Sequence, residues 1–479
     1  MAKYIISLGI VFATIFSVQG SDLKVWSEIE MLHWGKPNAQ LTARVHISWK
    51  NAWNNKKNHD AAWLFFKIGN NRNGETNWKQ ALVNADGHEL ISTNGPDVAF
   101  EVPDDRMGMF VYPKGTYKGD VELVVKVKLD VKSLERIQRY GWSARAHAIE
   151  MVYIPQGGFT LGDPDATAIA FNAFYQSDEN GQPDGLIQIS KENQEIPVGP
   201  NKGNLYYQVQ TSEYQGDQKG PVPSTFPKGV DAFYVMKYET TQGQYAEFLN
   251  TLYASQTMFR INYGVKGYYK KRGTIQLEDG KYVAGSPNRP ANLISWDDGL
   301  AFADWAGLRP MTEFEFTKAA RGPSRPIKWE YPWGTNSKDK LARVVDLDDE
   351  LKMINNMSEG ELNDTNREVF GASYYWVMDL AGSVWERVVT IGHEKGRAYK
   401  GTHGDGRLTG EGNATNQDWP KGDTGSGGFG YRGGGYYEHF KPAGEFNPHS
   451  PIAFRRFGSW AGGNRSIAYS NRFVRTAPR

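Results

Sequence analysis

The sequence predicts an N-terminal all-β sandwich of immunoglobulin-like size, followed by an α+β domain with little regular secondary structure. Two stretches alternate apolar with polar residues: Leu41, Ala43, Val45, Ile47 and Trp49, then Val121, Leu123, Val125, Val127, Leu129 and Val131. Period two over such lengths is the pattern of half-buried strands. Further along, three helix starts share one spacing: Thr241 with Gln244, Ser295 with Asp298, and Thr312 with Glu315. In each, the first side chain satisfies a free amide and the second reaches back, which is a capping box. The chain of 479 residues holds 53 Gly and is 13% aromatic. Many glycines favour turns over long helices, and the aromatics supply a core that disordered chains lack.

Taken in order, residues 1–20 read as an export signal. Lys3 gives the positive start, an apolar run of about fifteen residues follows, and Val18 and Gly20 offer a cleavage site. The run is short for a bilayer span of roughly twenty residues. No later segment is apolar enough for one either, so the expectation is an exported chain that is not an integral membrane protein. Residues 21–146 are the expected sandwich, with 61–68 and 109–112 as shorter apolar strands and Asn/Gly/Asp clusters between them. Trp49, Trp53, Trp63 and Trp78 in this region are read as packed core. The junction is placed at 143–151, and 147–479 form the second domain. There Tyr245, Phe248, Leu249 and Leu252 fall on one helical face, as do Ala301, Trp305 and Leu308, then Phe316, Ala319 and Ala320. Residues 401–435 are Gly/Asp/Asn-rich and expected to be loop.

Composition excludes several functions. Lys+Arg number 55 against 54 Asp+Glu, leaving a net charge of +1 and little electrostatic pull on nucleic acid. Cys is absent, which removes disulfides, thiolate metal sites and a cysteine nucleophile. His393, His403, His439 and His449 are ten or more residues apart, without the i, i+2 or i, i+4 spacing that fixes a metal on one element. The pair Glu438 and His439 is the one weak acid/base or metal candidate.

Eight ordered motifs resemble the formylglycine-generating enzyme (sulfatase-modifying factor) family. They are MVYIPQGGFTLG at 151–162, YETTQGQYAEFL at 238–249, PANLISW at 290–296, LRPMTEFEFTKAARG at 308–322, YPWG at 331–334, DLAGSVWE at 379–386, RGG at 432–434 and RFVR at 472–475. The resemblance covers 147–479 and implies an α+β fold distantly similar to C-type lectin domains. Formylglycine-generating members use two copper-holding cysteines between the motifs here at 432–434 and 472–475. That stretch has neither Cys nor Met, and copper(I) needs soft sulfur ligands, so neither copper nor formylglycine formation is expected. The resemblance also implies structural calcium held by Asp379, Gly382, Val384 and Glu386, a hard-oxygen set suited to that ion. A ligand cleft is expected at Trp385, Arg432, Tyr436 and Tyr437.

Two functions compete. The first is an exported binding or scaffold module whose partner is a glycan, a peptide or an envelope protein. The second is a cysteine-independent oxidoreductase or modifying enzyme centred on Glu438 and His439.

Overall fold

The computed structural model describes residues 22–478, except 73–74, 136, 138–140, 211, 264–271, 346–350, 424, 436, 439–440, 443–448 and 461. The expected signal at 1–20 lies outside the described residues. The chain is mostly β with few helices. The N-terminal region builds two facing sheets. The first is antiparallel, in the order Lys24–Leu32, Gln40–Asn54, Tyr117–Leu129, Glu89–Thr93. The second runs through Val98–Glu101, Met109–Pro113, Asp60–Arg72, Trp142–Ile154, Phe233–Met236, Phe473–Thr476 and Arg309–Pro310, with Glu75–Ala81 also paired to Asp60–Arg72.

Both period-two runs are strands of the first sheet, except that the second stops at Leu129 and Val131 opens a 3-10 turn, exposed. Their apolar members, such as Val45, Ile47, Val125 and Val127, pack against Ala62, Leu64, Phe66 and Ile68 of the second. The alternate residues Ala61, Trp63 and Phe65 face the other way and meet a separate core that includes Phe248, Phe302 and Trp305. That strand is covered on both faces, so its sequence is a continuous apolar run and not an alternating one. Trp49, Trp53 and Trp63 are buried, whereas Trp78 is half-buried with the Arg145 guanidinium 4.8 Å above its ring.

Strand Trp142–Ile154 pairs with Asp60–Arg72 along one edge and with Phe233–Met236 along the other. The expected junction at 143–151 therefore lies within a strand that belongs to a sheet shared by both regions. The three capping boxes are present, heading helices Gln242–Leu249, Trp296–Trp305 and Glu313–Arg321. The first helix ends at Leu249, so Leu252 packs from the turn beyond it. Residues 401–435 are not all loop: Phe429–Arg432 is a strand paired with Trp385–Val389. No helix among the described residues is long and apolar enough to cross a membrane.

Candidate functional site

The second domain is braced by arginines without solvent. Arg309 donates to both Glu315 oxygens at 2.6 and 3.0 Å, and Arg455 to both Glu313 oxygens at 2.7 and 3.2 Å. Arg321 meets Glu330 at 2.6 Å. Arg472 donates to both oxygens of Glu386 at 2.7–2.9 Å and spends its remaining hydrogens on the carbonyls of Met236, Lys237 and Met378. Such pairing offsets the cost of burying these carboxylates in their charged form.

Of the expected calcium residues, Asp379, Gly382 and Val384 lie in one irregular bend and Glu386 in the strand Trp385–Val389 that follows it. Asp379, Gly382 and Ser383 all have positive φ, at 58°, 95° and 57°, the left-handed conformation that makes a tight loop. Every carboxylate oxygen of the set is taken. Arg343 Nε and Nη2 donate to the two Asp379 oxygens at 2.8 and 2.9 Å, and Arg472 holds both oxygens of Glu386. Burial works against charge on Arg343, but Asp379 and Glu359 more than offset it and raise its pKa above the arginine norm. Two unit charges of like sign at about 4 Å repel by about 4 kcal/mol near a protein surface, and a dication doubles that. As arranged, the residues fit arginine and do not fit calcium, and among the described residues no three His, Asp or Glu side chains converge as a metal set. Behind the turn, Glu239 is buried with no hydrogen-bond partner for either oxygen. Burial and then the Asp379 charge push its pKa up to about 8. A cleft of about 580 Å³ opens between the turn and the first sheet, with Asn51, Asp120, Tyr238, Arg343 and Glu359 among its walls.

The expected ligand cleft takes a different form. Arg432 does not line it: the side chain is 1% exposed, donates to the carbonyls of Ile452 and Phe454 at 3.0 Å, and lies over the Phe316 ring. Its strand carries it inward, and burial pushes its pKa down to about 9. Trp385 is also buried, with Phe457 edge-on at 5.1 Å and Phe454 at 6.2 Å. Tyr436 and His439 lie outside the described residues. Tyr437 and Glu438 form a two-residue strand paired with Lys441–Pro442, their side chains likewise outside that set. Of the other histidines, His393 caps helix Glu394–Arg397, His403 accepts from the Thr476 amide, and His449 packs edge-on against Trp333. They stand apart.

The structure instead gathers half-exposed rings over Trp385 and Tyr431: Phe454, Phe457, Trp460 and Tyr469. Arg387 fixes the floor. It donates to the Tyr431 hydroxyl at 3.1 Å and to the Ile294 and Asn464 carbonyls at 3.0 and 2.8 Å, beneath the rings of Tyr431 and Tyr469. The Tyr431 hydroxyl in turn donates to Gly462 O, which pins the loop carrying Trp460. A rigid aromatic floor with fixed polar edges can hold a ring or an apolar side chain. The signal for it was the string FRRFGSW at 454–460, three large aromatics within seven residues.

A family model for the sulfatase-modifying factor enzyme 1-like domain matches residues 190–450. The formylglycine-generating enzyme of Thermomonospora curvata is 31% identical over 108 residues, which is 22% of this chain and 35% of that enzyme. The formylglycine-generating enzyme of Bos taurus is 22% identical over 216 residues, 40% of this chain and 55% of that one. An uncharacterized Bacillus subtilis protein, YfmG, is 27% identical over 167 residues, 32% of this chain and 33% of its own. The chain thus spans between about a third and just over half of these curated relatives.

Proposed function

The chain belongs to the sulfatase-modifying factor enzyme 1-like family, and on that premise we propose that it is an exported binding or scaffold module of the cell envelope or exterior, without formylglycine-generating activity. One observation carries the reading: the sequence contains no Cys. The chemistry that names the relatives needs soft sulfur to hold copper(I), and neither the hard oxygens of Tyr and Glu nor the borderline imidazole of His supplies a thiolate. The half-exposed rings Phe454, Phe457, Trp460 and Tyr469 support recognition, with a glycan, a peptide or an envelope protein as partner. A lectin-like relation of the fold, in which loops present the binding surface, agrees with this placement. The apolar run at 1–20 supports export, with a mature end at Ser21.

Two measurements test the proposal. A sulfatase-motif peptide incubated with the protein, copper and reductant keeps its thiol by mass spectrometry; conversion to aldehyde overturns the reading. The protein co-sediments with isolated envelope, and the folded variants Phe457→Ala and Trp460→Ala do not. Retention of both variants at the wild-type level removes the aromatic surface from the argument.

A further inference from the structure

We propose that Arg343 is the resident cation of the Asp379 turn, a covalently tethered stand-in for a metal ion, and that a divalent-cation site lies latent there until the guanidinium is removed. The inference is independent of what the aromatic surface binds. Three observations meet at this point. The turn has left-handed backbone at Asp379, Gly382 and Ser383 and forms a wall of the cleft that Glu239, Arg343 and Glu359 also line. The turn's carboxylate is claimed by a guanidinium: Arg343 grips both Asp379 oxygens with two parallel bonds, and its Nη1 donates to Glu359 at 2.7 Å.

That grip is itself positioned. The Tyr238 hydroxyl donates to the other Glu359 oxygen at 2.6 Å, and the guanidinium sits 5.6 Å from the Tyr238 ring. The third observation is Glu239, buried behind Asp379, with both oxygens lacking hydrogen-bond partners and the nearest cation, Arg472 Nη2, at 3.7 Å. Arg472 cannot turn to it, because its bonds go to Glu386 and three carbonyls. Deleting Arg343 therefore removes the cation bonded to Asp379 and leaves that carboxylate beside Glu239, whose Arg472 contact at 3.7 Å is shared with Glu386. Hard carboxylate oxygens in that state recruit calcium or a similar ion, whereas the native arginine makes the turn indifferent to metal.

The test compares thermal unfolding of the wild-type chain, Arg343→Ala, Arg343→Lys and the double variant Arg343→Ala/Glu239→Gln, each in chelator and in millimolar calcium. Metal content after dialysis is read by mass spectrometry. The expected result is one wild-type midpoint in both conditions, with no stoichiometric calcium. Arg343→Ala melts lower in chelator and calcium restores part of the loss, since a ligand of the folded state stabilises by mass action. Arg343→Lys stays indifferent, and the double variant loses most of the calcium response. Stoichiometric calcium in the wild type, with a lower midpoint in chelator, overturns the proposal. So does a folded Arg343→Ala that ignores calcium. If that variant does not fold, Arg343→Gln replaces it, and the wild-type arm decides the first half alone.

Discussion

Replacing Arg472 by Met asks how much of the second domain depends on a single buried guanidinium. Arg472 has no exposure and makes six polar contacts at 2.7–2.9 Å: three to Glu386 and three to the carbonyls of Met236, Lys237 and Met378. Removing one partner of a buried pair costs about 3–5 kcal/mol, because the other charge is left without compensation. Three stranded carbonyls add about 1 kcal/mol each at the low end. Glu386 limits the damage by taking a proton, since burial already raises its pKa. The expected loss is then about 4 kcal/mol or more, a large part of a total stability of about 5–15 kcal/mol. Urea unfolding followed by tryptophan fluorescence measures it. The companion Arg472→Met/Glu386→Leu recovers at least half of that loss, since an apolar pair removes the uncompensated charge. A single-variant loss below about 1 kcal/mol, or a double variant no better than the single, refutes the reasoning.

Two further outcomes are expected. Lys67 is buried, with its ammonium on Gln80 Oε1 and the Trp305 carbonyl, and burial pushes its pKa down to about 7 against 10.5 when exposed. Between those values the unfolded chain binds more protons, so stability rises with pH by at most about 1.4 kcal/mol per unit. Wild type should therefore gain on Lys67→Met from pH 7 to 9, and a constant difference rules this out. Gly430→Ala is expected to cost at least about 1–3 kcal/mol and to loosen the aromatic floor, because a Cβ there would stand 2.0 Å from the Gly458 carbonyl. An unchanged urea midpoint and near-ultraviolet dichroism would contradict it.

Much of this architecture was legible before any coordinates. Alternation at 41–49 and 121–131 placed two strands of the first sheet, and the capping spacings at Thr241, Ser295 and Thr312 placed all three longer helices of the second domain. Those signals are local, and local signals survive in sequence. The junction did not, because strand Trp142–Ile154 serves two neighbours and its residues look alike to both. Strand Phe429–Arg432 was hidden by flanking glycines, whose turns are irregular although the four residues between them pair. Arg432 was read as cleft because an arginine in a Gly-rich motif looks exposed. What buries it, the carbonyls of Ile452 and Phe454, lies twenty or more residues away and leaves no mark on the motif.

The placement of the arginines also explains how eight motifs can match the family in a chain that contains no Cys. The charged motif residues are structural. In the stretch 308–322, Arg309, Glu313, Glu315 and Arg321 all pair with buried partners, and Thr312 caps the helix that carries the last three. Glu386 of the motif at 379–386 closes on Arg472 of the last, 86 positions away. Each of these bonds sits where an uncompensated charge would cost several kcal/mol, so losing one endangers folding whatever the protein does. The motifs therefore report buried pairings that hold the fold together, and a match to them speaks for the fold, whereas what the chain does has to be argued from its site.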